Sequence, residues 1–135
     1  MAELLINIDV DDLDRAVAFY TSALGLRLGR HFGDWAELVG AQVPIYLLPK
    51  RAGSQPFSGA ELPRSYERHW SPVHLDFVVE DLAAAMARAE GAGARLEEPV
   101  SEHRYGRLAL YADPFGHGFC LLEFRGRGYD ELGVR

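Results

Sequence analysis

The 135-residue chain has a single cysteine, so it cannot close an intrachain disulfide, and that usage suits a reducing compartment. It has no apolar run long enough to span a bilayer, and its Met-Ala-Glu-Leu start lacks the look of a secretory signal. Positive charge is also in short supply: 14 Lys and Arg stand against 20 Asp and Glu, for a net charge of −6, which argues against the basic footprint that nucleic acid requires. A cytoplasmic, non-membrane protein that leaves nucleic acid alone is expected. With 48% hydrophobic and 25% charged residues, the composition is ordinarily globular and the length suits one compact domain with a real core.

What the chain does have is an internal echo. Leu5-Ile6-Asn7-Ile8-Asp9-Val10-Asp11-Asp12-Leu13 leads into a helical stretch that stops near Gly25, and His74-Leu75-Asp76-Phe77-Val78-Val79-Glu80-Asp81-Leu82 leads into another that stops near Gly93. In each, alternating side chains predict a strand and a short acidic side chain then caps a helix, Asp11 or Asp12 in the first copy and Asp81 in the second. Capping accounts fully for these carboxylates. Strands are predicted at Leu4–Val10, Leu26–His31, Trp35–Val39 and Val43–Leu48, then at Val73–Val79, Arg95–Glu97, Arg107–Ala112 and Gly118–Phe124. Residues 50–71 are rich in Gly, Ser and Pro and read as a linker between module one (about 1–49) and module two (about 72–125), with a polar tail over 126–135 that frays or docks on a partner. A sheet with one helix cannot cover both its faces, so two modules are expected to enclose a cavity. The sequence leaves open whether they pair within one chain or swap between two; a homodimer is expected.

Asp12-Leu13-Asp14-Arg15-Ala16-Val17-Ala18-Phe19-Tyr20 with Ala23-Leu24-Gly25, and later Asp113-Pro114-Phe115-Gly116-His117, resembles the signature of the vicinal oxygen chelate superfamily, which holds glyoxalases, bleomycin-resistance proteins and extradiol dioxygenases. The resemblance implies an α+β fold of two βαβββ modules forming a curved, half-open mixed-sheet barrel with helices outside. It also implies four equivalent positions from which the superfamily's enzymes hold a divalent metal. These fall here on Leu5, Tyr46, His74 and Cys120. Leucine cannot ligate, tyrosine is an uncommon ligand, and a catalytic metal normally has three protein ligands. So no metal cofactor is expected, with His74 as the residual ligand, although a divalent metal stays possible.

Strand alternation assigns the remaining cavity positions. Asn7, Trp35, Glu37, Tyr46, His74, Asp76, Arg107, Tyr111 and Cys120 are expected to line it, with Leu108 and Leu110 on the helix and Glu123 turned away from Cys120. This mixture suits an aromatic or cationic small ligand. His74 with Asp76, two residues apart on one strand face, suits a hydrogen-bonding pair or a general base and its orienting carboxylate. The reading that follows is a glyoxalase/bleomycin-resistance-like small-molecule-binding protein with a degraded metal site. Its alternative is a divalent-metal-dependent lyase, isomerase or dioxygenase of the same superfamily.

Overall fold

A computed structural model describes residues 1–133; of the expected polar tail, residues 134 and 135 lie outside the described residues. The chain is α+β and divides into two compact units, Met1–Glu67 and Arg68–Arg135. Among the described residues, no helix is long and apolar enough to cross a membrane.

The first unit runs β1 (Ile6–Val10), α1 (Leu13–Leu24), β2 (Arg27–His31), β3 (Ala36–Val39) and β4 (Ile45–Pro49). Its sheet order is β1-β4-β3-β2, with β1 parallel to β4 and the other pairs antiparallel. Of the two candidate caps, Asp12 does the work: its carboxylate accepts the Arg15 N–H at 3.1 Å. Gly25 ends the helix at φ 67°, a conformation cheap only for glycine. The pairing puts Ile6, Ile45 and Leu38 side by side, then Ile8, Leu47 and Ala36, on one sheet face. That face meets α1, which buries Ala16, Phe19, Tyr20 and Ala23 against it.

The second unit repeats the plan as β5 (Leu75–Val78), α2 (Leu82–Gly91), β6 (Arg95–Leu96), β7 (Ser101–His103), β8 (Gly106–Ala112) and β9 (Gly118–Phe124), then a 3-10 turn over Gly128–Leu132. The order is β5-β9-β8-β6, with β5 parallel to β9 and β7 also on β8. Asp81 caps α2 through the Ala84 N–H at 3.1 Å, the same offset as Asp12. The buried face of α2 is small, Leu82, Ala85 and Ala89, so the sheet supplies the bulk. Tyr111 and Phe119 stack at 5.7 Å, Phe77 meets Phe119 edge-on at 6.1 Å, and the Tyr111 hydroxyl donates to Glu90 of α2 at 3.1 Å.

Three features add to the sequence reading. Strand β7 lacks a hydrophobic alternation and was not expected. The segment after β4 is an ordered part of the first unit, held where Arg64 donates to Asp9 at 2.9 Å and to the Gln55 carbonyl at 2.7 Å. The described part of the tail docks on its own unit, with Tyr129 against Phe124 at 4.9 Å and Tyr105 at 5.0 Å.

Gly106 begins β8 close against the β9 backbone. A Cβ there would lie 2.0 Å from the Glu123 carbonyl oxygen, and φ is +150°. Gly106→Ala is expected to destabilise the fold by at least about 3 kcal/mol. Gly25→Ala, at a helix end with open space around it, is expected to cost only about 1 kcal/mol. Urea denaturation of the two variants measures the contrast; equal losses would contradict it.

Candidate functional site

In each unit the face away from the helix carries the chemistry, and strand register decides its membership. In the first unit Asn7, Tyr46 and Glu37 sit side by side across β1, β4 and β3. In the second, Asp76, Cys120 and Leu110 sit side by side across β5, β9 and β8. Tyr46 and Cys120 therefore occupy equivalent places, as do Asn7 and Asp76, and Glu37 and Leu110.

The first unit's face is saturated. Glu37 is buried and takes a two-pronged ion pair from Arg30, Nε to Oε1 at 3.1 Å and Nη2 to Oε2 at 2.9 Å. The Arg30 backbone N–H adds a third bond at 3.0 Å, and the Tyr46 hydroxyl donates a fourth, to Oε2, at 3.1 Å. A Cβ at Gly29 would lie 2.7 Å from Glu37 Oε1, so only glycine lets the carboxylate fold over β2. These donors hold the Glu37 carboxyl at about 2, well below its usual 4.5, with the Arg30 side chain the largest cause. Phe32 stacks on Trp35 at 4.1 Å, Trp35 leans on Tyr46 at 5.6 Å, and Arg30 lies over the Phe32 ring at 5.3 Å. Asp9, on the same face, is neutralised by Arg64. Leu5 is half exposed at the foot of β1.

The second unit's face is less committed. His74 Nε2 and Asp76 Oδ1 are 3.1 Å apart, and the thiol of buried Cys120 also bonds Asp76. Burial first, then the Asp76 charge and that bond, push the thiol up to about 12. At neutral pH it is therefore no nucleophile. The ligand atoms of His74, Asp76 and Cys120 all lie within 4.8 Å of one another. Tyr129 lies near enough for the Asp76 charge to raise its hydroxyl, after burial.

Two expected cavity residues are corrected. Arg107 and Tyr111 lie on the α2 side of the sheet, opposite Cys120: Tyr111 reaches Glu90, and Arg107 pairs with Glu123 at 2.6 Å. Leu108 and Leu110, expected against the helix, share the Cys120 face instead. On the α2 side, Tyr111 and Phe119 supply the bulk beside Ala85 and Ala89. The reading from sequence also missed Arg30 and Arg64. Arg30 lies across a hairpin from Glu37, but a register shift between Leu28 and His31 hides that pairing from simple alternation. Nothing in the sequence signals Arg64.

Two of the four positions that the superfamily's enzymes use are unsuited to a metal ion here. Leu5 has no donor atom, and the Tyr46 hydroxyl is spent on Glu37. The other two, His74 and Cys120 in the second unit, carry donor atoms.

The profile of a family described as a glyoxalase-like domain matches residues 5–122. The chain resembles the crystal structure of a glyoxalase/bleomycin resistance protein/dioxygenase family enzyme from Burkholderia phytofirmans PsJN, at 20% identity over 92% of this chain and 100% of that one, with a TM-score of 0.73. It resembles FosX, a genomically encoded fosfomycin resistance protein from Listeria monocytogenes, at 16% identity over 93% of this chain and 94% of that one, TM-score 0.70. It also resembles TioX from Micromonospora sp. ML1, at 19% identity over 93% of this chain and 100% of that one, TM-score 0.67. At these identities the likeness is one of fold. No curated protein matches the chain.

The Glu37 network has a pH signature. A carboxyl held near 2 when folded and near 4.5 when unfolded stabilises the fold fully above pH 4.5, and loses that contribution as pH falls toward 2. Glu37→Gln should therefore lower the melting temperature at pH 7, and the gap from wild type should narrow between pH 4.5 and 2. A gap independent of pH in thermal scans would contradict the assignment.

Proposed function

The chain belongs to the glyoxalase-like domain family, and from that premise we propose that it is a small-molecule-binding protein of the glyoxalase/bleomycin-resistance type, working without the superfamily's four-position metal centre. The observation that carries this is the Arg30–Glu37–Tyr46 network. It occupies the place from which the first unit would supply a ligand, and it commits both the hydroxyl and the carboxylate there. What is left on the faces suits recognition: stacked Phe32 and Trp35, polar Asn7, and His74 with Asp76. Flat aromatic surface favours an aromatic ligand or a cation held against a ring face, and the net charge of −6 favours a cation. The reading includes a cytoplasmic homodimer.

A second reading, a lyase, isomerase or dioxygenase, is favoured by one contact. Asp76 fixes His74 at 3.1 Å, the arrangement that orients a histidine for proton transfer. It requires that His74→Ala abolish turnover while leaving the fold intact.

The two readings part in calorimetric titration with a panel of aromatic and cationic compounds in excess EDTA. Binding should survive chelation and weaken about tenfold in Trp35→Ala, the loss of one aromatic contact. A ligand that binds only when metal is restored would overturn the first reading. Light scattering at micromolar concentration should give twice the chain mass; a monomer would remove the dimer from the proposal.

A further inference from the structure

The second unit gathers an imidazole, a carboxylate and a thiol on one patch, and their partners differ from those of the first unit. Asp9 and Glu37 each take an arginine. Asp76 lies with His74 and the Cys120 thiol instead, both of metal-ligating type, and the ligand atoms of the three lie within 4.8 Å of one another. Cys120 sits beside that carboxylate in the β5–β9 register. His74 and Asp76 are open to solvent, with side chains 51% and 36% exposed, and Cys120 lies beneath them.

The spacing suits a small ion. Bonds of about 2.0–2.2 Å to nitrogen and oxygen, and about 2.3 Å to sulfur, place the donors of a tetrahedral zinc ion roughly 3.3–3.8 Å apart. The His74–Asp76 separation of 3.1 Å lies just below this range, and no pair of donors is further apart than 4.8 Å. The remaining gap of about 1 Å is within reach of side-chain rotation in the two exposed residues.

We propose that His74, Asp76 and Cys120 form a site for a thiophilic divalent cation of the zinc class, held by the second unit alone. It differs from the superfamily's four-position centre in two ways: Asp76 is not one of those positions, and the first unit contributes nothing. Sulfur and imidazole select against magnesium and calcium, which demand oxygen ligands in larger number. Binding forms a Cys120 sulfur–metal bond and releases the thiol proton to solvent. Three protein ligands leave one coordination position open to water. The site goes beyond the small-molecule reading, and neither needs the other.

Cobalt(II) and zinc titrations of the reduced full-length protein, without organic ligand, test it. One equivalent should bind, and the cobalt form should show a thiolate-to-metal charge-transfer band in the near ultraviolet. Cys120→Ser should lose that band. His74→Ala, an exposed change that leaves the core alone, should weaken zinc by at least about tenfold, since even outer-shell losses reach that size. His31→Ala, His117→Ala and Leu5→Ala should bind as wild type does. The proposal falls if binding is substoichiometric, if the cobalt complex lacks a thiolate band, if His74→Ala binds unchanged, or if Leu5→Ala or a distant histidine variant loses the ion. Because no organic ligand is present, failure here leaves the calorimetric test of small-molecule binding untouched.

Discussion

In each unit the first strand lies parallel to the strand that closes the module, and the register of that one pairing decides which side chains meet. Side chains alternate across a strand, so a slip of one residue would exchange the whole functional face for the core face. The register is fixed from the core side. Ile6, Ile8 and Val10 must meet α1, just as Leu75 and Phe77 must lie on the side of α2, and each helix is started by an aspartate at the same offset. With the apolar set committed, Asn7 has to lie beside Tyr46 and Asp76 beside Cys120.

One constraint repeated in two units gives two chemically different faces, because the residues at equivalent points have diverged. In the first unit the carboxylate stands on the third strand as Glu37, where Arg30 and Tyr46 use its lone pairs. A buried carboxylate in such a cradle is costly to disturb and offers nothing to an incoming cation, since removing one partner would leave a charge without compensation. In the second unit the third-strand place holds Leu110, and the carboxylate stands on the first strand as Asp76. There it meets a thiol and an imidazole, both exchangeable partners. The first unit thus has its carboxylate fully paired, while the second keeps His74 and Asp76 within reach of solvent.

The duplication, both helices with their caps, and most strands were legible in the sequence because they rest on local signals: alternation, helix propensity and turn residues. The equivalence of Tyr46 and Cys120 was legible too, through the repeated aliphatic pair that follows each. The faces of β8 were not. Leu108 and Leu110 looked like core, and only the shape of α2 explains why they are not: its Ala85 and Ala89 leave room that Tyr111 and Phe119 fill, whereas in the first unit α1 brings Phe19 and Tyr20 and the sheet can be small at Ala36. Volume complementarity between a helix and a sheet belongs to neither sequence alone. Arg30 and Arg64 stayed hidden because their partners lie across an irregular hairpin and a long loop, where sequence spacing carries no geometric information.

The central proposal is that the first unit's face gives no metal ligand, while His74, Asp76 and Cys120 of the second hold a thiophilic cation. X-ray diffraction from zinc-soaked crystals, recorded on both sides of the zinc absorption edge, tests it most directly. The account predicts an anomalous peak bonded to His74, Asp76 and Cys120, with Glu37 still paired to Arg30 and Tyr46. A peak with Tyr46 or Glu37 among its ligands, or no peak at His74, would contradict it.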